Sequence, residues 1–246
     1  EIPLKKALEV AERTEGAFDP TVMPMVNAWG FGPGRALSLK KQQIDSLRKI
    51  VGYQKLILKK DSIKKSDPLV QLDFGGIGQG YGADVIAQFL KSKGVENFLV
   101  ELGGEGMAWG KNLQSGADWR VGILHPHSTR ENQRYKAYVS LKNQSFTTAG
   151  NYFNYRIIEG RKYGHTIDPR TGYPVEHSLL SVSVFSADCT TADAWDTALL
   201  VAGVEKSIVL LESNKDVQAL LLFSTPEGGI ETYVTSGLKD FIVIEP

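Results

Sequence analysis

Gly75-Gly-Ile-Gly-Gln-Gly-Tyr-Gly82 holds five glycines in eight residues. Placed between a strand and a helix, such a run lets backbone N–H groups approach a phosphate closely, and the helix N-terminus adds partial positive charge. A plain strand-to-helix turn needs only one or two glycines, which favours phosphate binding over a purely structural turn. The same run matches G-x-G-x-x-A over residues 78–83, and Glu101 ends the next strand about 20 residues on, where a dinucleotide fold places its ribose acid.

Two further clusters carry polar side chains. Phe146-Thr-Thr-Ala-Gly-Asn-Tyr152 precedes a turn-forming stretch, Asp168-Pro-Arg-Thr-Gly-Tyr-Pro174, with His165 three residues before it. His165 is either a satisfied structural histidine or a general base, and one histidine near a turn does not separate the two. In Cys189-Thr-Thr-Ala-Asp-Ala-Trp-Asp-Thr-Ala-Leu199, Thr190 or Thr191 is expected to cap a helix, which puts Asp193 and Thr197 four apart on one face. A carboxylate beside a hydroxyl suits a hard cation such as Mg2+, with water and substrate phosphates in its other positions. The alternative is that Asp193 favours the helix dipole while Thr197 packs.

These groups sit in a chain whose 28 Lys+Arg balance 28 Asp+Glu, so charge gives no case for nucleic acid or an anionic membrane. The one cysteine, Cys189, excludes an internal disulfide and a cysteine-rich zinc site. Apolar stretches such as 198–202 and 219–223 fall far short of the roughly 18 residues of a spanning helix. No secretory signal opens the chain, which begins at Glu1 without Met and is expected to be a trimmed product.

Periodicity predicts helices over 3–14 and 39–50, one from the glycine turn to a stop at Gly94, and two more over 190–202 and 204–213. An ordered, packed loop is expected between Phe18 and Gly34. Strands are predicted at 55–58, 69–74, 97–102, 106–109, 119–124, 135–141, 152–158, 179–186 and 217–224, with a terminal hairpin over 230–244. Clustered strands bracketed by helices make the class α+β with much antiparallel sheet. A doubly wound fold would alternate strand and helix instead, so an NAD-binding oxidoreductase ranks second.

In order, Gly16-Ala-Phe-Asp-Pro-Thr-Val22 with Trp29-Gly-Phe-Gly32, Asp73 to Asp84, Leu102-Gly-Gly-Glu105, Thr148-Ala-Gly-Asn-Tyr152, His165-Thr-Ile-Asp-Pro-Arg-Thr-Gly172 and Thr191 to Leu199 resemble the blocks of the FAD:protein FMN transferase family, also called the ApbE or thiamine-biosynthesis-lipoprotein family. The resemblance implies a single ApbE-like, T-fold-like domain over residues 1–246, lacking the family's N-terminal segment, with two similar α+β halves and the active site between them. It implies Mg2+-dependent transfer of FMN from FAD to a Ser or Thr hydroxyl of a target flavoprotein, releasing AMP. An FAD pyrophosphatase or a non-catalytic FAD-binding protein is the alternative. By the same resemblance the metal ligands are Asp193, Thr197 and the carbonyl of Gly78, with His165 and Asp193 catalytic. Flavin-nucleotide contacts fall on Gly75, Gly76, Gly78, Gln79, Gly103, Gly104, Glu105, Thr148, Gly150, His165 and Asp168. The family usually has Ala-Lys at Gly78-Gln79, and an Asp at Asn151. Family habit also places such a protein on the periplasmic side of the inner membrane, held there only through a lipid anchor that this chain does not contain.

Overall fold

The structure is a computed structural model and describes residues 1–34, 40–60, 62–129, 131–150, 155–158 and 160–245. In chain order the elements are α1 (Ile2–Arg13), α2 (Met23–Ala28), α3 (Lys41–Arg48), β1 (Leu56–Lys59), β2 (Ser62–Lys65), α4 (Gly78–Ser92), β3 (Phe98–Leu102), β4 (Glu105–Trp109), β5 (Trp119–Leu124), β6 (Tyr135–Leu141), β7 (Gln144–Gly150), β8 (Tyr155–Ile158) and β9 (Arg161–Gly164). They continue with β10 (Leu179–Ser186), α5 (Cys189–Ala202), α6 (Val204–Ser213), β11 (Val217–Ser224), β12 (Ile230–Val234) and β13 (Ile242–Ile244). No helix among the described residues is long and apolar enough to cross a membrane.

The central sheet has six strands in the order β12-β11-β10-β7-β4-β3, every neighbouring pair antiparallel. Its middle strands are apolar on both faces because both faces are covered. Val182 and Val184 of β10, with Val217, Ala219 and Leu221 of β11, pack on Trp195, Leu199 and Leu200 of α5 and Leu211 of α6. Phe185, Leu220 and Leu222 point the other way, into a core shared with Ile123, Val139 and Leu141 of the three-stranded sheet β13-β6-β5. That two-sided burial explains the near-continuous apolar run of β11. Helix α5 lies between the sheet, α1, α4 and α6, so 12 of its 14 residues are buried, Asp193 and Asp196 among them. At the far edge of the sheet, α4 covers β3 and β4 through Ala83, Ala87, Phe98, Val100 and Met107.

The N-termini of α4 and α5 meet. Asp84 of α4 accepts from the Cys189 and Thr190 N–H groups, each at 2.8 Å, and from the Thr190 hydroxyl. Asp193 of α5 accepts from the Gly80 N–H of α4 at 2.8 Å. Each helix therefore receives a carboxylate at its positive end from the other. The approach requires glycine at position 80, where a Cβ would meet the Cys189 carbonyl and come within 2.7 Å of the Asp193 Cβ. The side-chain cap of α5 itself is Asp188, accepting from Thr191 N at 2.8 Å, rather than the expected Thr190 or Thr191. Both threonines lie inside the first turn, two and three positions past the cap.

The antiparallel α+β class is borne out, and several local expectations are corrected. Residues 69–74 form no strand: Val70 turns inward onto Leu4 and Leu56, the Asp73 N–H bonds to the Pro20 carbonyl, and β1 pairs instead with the lysine-rich β2. The terminal hairpin is split, because β12 adds to β11 while β13 pairs with β6 in the other sheet, with the buried Leu238 between them. The loop after Phe18 contains a short helix, α2. Strand β7, rich in Ser and Thr, fills the gap between β10 and β4. Of the strand expected over 152–158, residues 152–154 lie outside the described residues, and the rest forms β8, paired with β9. The chain also lacks, among the described residues, the parallel strand-helix-strand unit of a dinucleotide fold, and Glu101 accepts from Gly104 N in the β3–β4 turn.

Asp84→Ala would remove three hydrogen bonds to a carboxylate and orphan two buried N–H groups. Denaturant unfolding should show a loss of about 2–4 kcal/mol. A change below about 0.5 kcal/mol, the range of an inconsequential surface substitution, would show that the exchange between the helices does not hold them together.

Candidate active site

An open cavity of about 780 Å3 lies between α5, the turn before α4, the α2 segment and the β8–β9 hairpin. Asp73, Gly75, Gly76, Thr197, His165 and Arg156 are among the residues that line it. Thr197 stands one helical turn after Asp193 on α5, and a Cβ on Gly76 would fall 2.7 Å from the Thr197 hydroxyl oxygen, so α5 and the glycine turn are in direct contact here. On the opposite wall, Phe31 meets the His165 ring edge-on at 6.4 Å between centroids. The segment around His165 is tied to the end of α2 through Trp29, whose indole donates to the Gly172 carbonyl at 2.8 Å and stacks near Tyr163 and Tyr173.

Beside the cavity three carboxylates are buried together. Burial pushes Asp193 up to about 7, opposed by the Gly80 N–H. Glu105 is likewise pushed up to about 7, first by burial and then by the Asp193 charge. Asp196, fully buried, is raised well above the ordinary carboxylate range by burial and by Asp193. The Thr197 hydroxyl donates to Asp196 at 3.3 Å, and Thr147 faces the same carboxyl without a well-aligned bond of its own. Glu105 Oε2 is buried and has no hydrogen-bond partner among the described residues. None of the three forms an ion pair with Lys, Arg or His among the described residues.

Concentrated buried negative charge with an unsatisfied carboxylate oxygen fits a hard divalent cation. Among the described residues no three His, Cys, Asp or Glu side chains converge as a metal cage. A cation held by Asp193 and Thr197 would therefore complete its shell with main-chain carbonyl, water or substrate oxygens, as Mg2+ does.

The ApbE family model matches residues 3–221. The chain belongs to the ApbE family. The FAD:protein FMN transferase of Vibrio cholerae is 34% identical over 241 residues, covering 97% of this chain and 71% of that protein. Its Escherichia coli counterpart is 34% identical over 245 residues, covering 97% and 68%. The solved flavin transferase ApbE of Vibrio cholerae superposes with a TM-score of 0.87 at 34% identity, covering 98% of this chain and 75% of its own.

In this ApbE-family chain Gly75, Gly76, Thr197 and His165 share the cavity wall. Asp193 and Gly78 sit at the helix junction behind it. The glycine turn does not present the expected row of N–H donors. Gly75 N–H bonds to Asp73, Ile77 and Gly78 to the Phe74 carbonyl, and Gly80 to Asp193, leaving those of Gly76 and Gln79. Glycine is needed at 76 and 80 chiefly so that α5 can approach. Gln79 donates to the Leu102 carbonyl at 3.3 Å, joining the turn to Gly103, Gly104 and the buried Glu105. Thr148 shares a 2.8 Å hydrogen bond with Ser183, Gly150 ends β7 opposite Ser181, and Asp168 is engaged bidentately by Arg170 at 2.9 and 3.0 Å. Those three, with Gly103 and Gly104, do not line the cavity. Asn151 lies outside the described residues.

Sequence reasoning assigned no role to Asp196, Asp73 or Arg156. The spacing of three between Asp193 and Asp196 was a readable signal, since it keeps both on one side of a helix. Arg156, alone in an edge hairpin, offered none.

The raised carboxylates carry a sign that can be measured without metal. At Asp193 and Glu105 the folded state keeps protons that an unfolded carboxyl releases near pH 4. Their contribution to stability is complete below about pH 4 and is lost as pH rises through about 7. In chelator, the melting temperature should fall between pH 5 and 8, and Glu105→Gln should flatten that fall. A slope that Gln leaves untouched would show that Glu105 does not titrate in this window.

Proposed function

We propose that this protein is an Mg2+-dependent flavin transferase that moves the FMN half of FAD onto a Ser or Thr hydroxyl of an acceptor flavoprotein and releases AMP. The carrying observation is that one cavity joins the glycine turn, Thr197 and His165 beside buried carboxylates that pair with no described Lys, Arg or His, in a fold shared with flavin transferases. Asp193, Thr197 and a main-chain carbonyl such as that of Gly78 are the groups that would hold Mg2+. When bound, the ion neutralises charge on the diphosphate and on the departing AMP.

In this reaction the acceptor oxygen forms a bond to the phosphorus of the FMN phosphoryl group. The bond from that phosphorus to the bridging oxygen breaks, and AMP leaves with that oxygen. The acceptor's proton must go to a base. His165 lines the cavity and is the candidate, with Phe31 packed against its ring. Thr197 and Asp193 are held in place by the contacts with Gly76 and Gly80, so the site is positioned before substrate arrives.

Incubation with FAD, Mg2+ and an acceptor flavoprotein domain should produce a covalent flavin adduct on Ser or Thr, seen by intact mass. Release of FMN and AMP without any adduct would assign the chain to FAD hydrolysis instead. FAD recovered intact would leave a binding protein.

Asp193→Asn discriminates further. The amide oxygen can still accept from Gly80 N–H, and a buried charge is removed, so metal-free thermal stability should be unchanged or raised. Mg2+ affinity and transfer should fall at least about tenfold, because a hard cation prefers the carboxylate. Full activity at limiting Mg2+ would return Asp193 to a purely structural role at the α4 N-terminus.

A further inference from the structure

We propose that Arg156 is a phosphate-recognition residue of the cavity, presenting its Nε–Nη2 edge to a phosphoryl oxygen pair of the flavin nucleotide. The proposal rests on the flavin transferase reading and adds to it the group that supplies fixed positive charge.

An anionic diphosphate entering this cavity meets Asp19 and Asp73 among its lining residues, with Asp193 and Asp196 behind Thr197. Arg156 is the only Lys or Arg among the described lining residues. Most of the usual alternative donors are already engaged, leaving only the Gly76 and Gln79 N–H groups at the start of the turn. Four N–H groups of the glycine turn bond within the protein, and Gln79 is neutral with its amide turned to the Leu102 carbonyl.

Arg156 is held in a manner that suits this role. Its Nη1 donates to the Gly30 carbonyl at 2.9 Å and to the Trp29 carbonyl at 3.4 Å. Trp29 is itself fixed by the Gly172 carbonyl and the Tyr163 ring. The guanidinium is thus anchored through one nitrogen to neutral acceptors. It forms no ion pair with a described carboxylate, and its Nε and Nη2 donors bond to no described residue. Those two donors form the planar fork that matches two oxygens of a phosphate. A structural arginine is usually paired through that edge, as Arg170 is to Asp168 in this chain.

The experiment is a fluorescence titration of the whole chain with riboflavin, FMN and FAD, with and without Mg2+, for the unaltered protein, Arg156→Gln and Arg156→Lys. Riboflavin carries the same ring without phosphate. Arg156→Gln should weaken FMN and FAD about tenfold while leaving riboflavin unchanged, and Arg156→Lys should recover part of the loss, keeping the charge but not the fork. Equal weakening of all three flavins would overturn the proposal and make Arg156 a brace for the Trp29–Gly30 wall. Unchanged nucleotide affinity together with a raised KM for the acceptor would also overturn it, assigning the guanidinium to an acceptor carboxylate. If the unaltered protein binds neither FMN nor FAD, the transferase reading fails and this proposal with it. If that protein binds both and Arg156→Gln changes nothing, the Arg156 proposal alone fails.

Discussion

Two buried aspartates exchanged between α4 and α5 set the geometry on which the site depends. Two helix N-termini brought together repel through their dipoles, and each leaves N–H groups without intrahelical partners. Asp84 and Asp193 answer both problems, because each carboxylate sits at the positive end of the helix it does not belong to. The exchange holds the two helices at one separation and rotation. Thr197, one turn beyond Asp193, is thereby pressed against Gly76 at the cavity wall. A loss of register at this junction would move the Thr197 hydroxyl and the glycine turn together.

The same junction creates an electrostatic tension that bears on function. Asp193 already engages Gly80 N–H, yet Asp196 and Glu105 are buried within its field, and one Glu105 oxygen has no hydrogen-bond partner among the described residues. A site built only for stability would replace one of these groups by an apolar side chain, since an unpaired buried carboxyl is costly. Protons relieve the tension in the protein alone, because burial raises the affinity of Asp193 and Glu105 for them. A divalent cation would relieve it by displacing those protons, which couples metal binding to pH. Anionic substrate can then be accommodated next to a wall of carboxylates.

Rigidity for this arrangement comes from the sheet behind it. Strands β10 and β11 are covered on both faces, and α5 is enclosed by sheet and helices, so the helix that bears Asp193, Asp196 and Thr197 has little freedom to shift. The opposite wall is built differently. There the β8–β9 hairpin pairs, among the described residues, only with itself and is tied down through Arg156, Trp29 and Tyr163. The α5 wall is thus fixed by packing, and the wall facing it is attached through a few side-chain contacts.

What the amino-acid order determined by itself was whatever depends on neighbours along the chain. The helical period over α4, α5 and α6, the apolar runs of β10 and β11, and the pairing of Asp193 with Thr197 on one helical face follow from spacings of two, three and four residues. The need for glycine between residues 75 and 82 was also legible, although its reason was not. A phosphate cradle and a close helix approach require the same missing Cβ, and only the packed position of Cys189 and Asp193 against Gly80 distinguishes them. Tertiary structure alone decided the contacts made across long separations: Gly80 with Asp193, 113 residues apart, Asp84 with Cys189, 105 apart, and Arg156 with Gly30, 126 apart. It also decided that β13 joins β6 instead of β12, and that residues 69–74 remain unpaired while the lysine-rich β2 forms a strand. Strand pairing and carboxylate burial are set by which surfaces meet, and local propensity carries no information about a partner a hundred residues away.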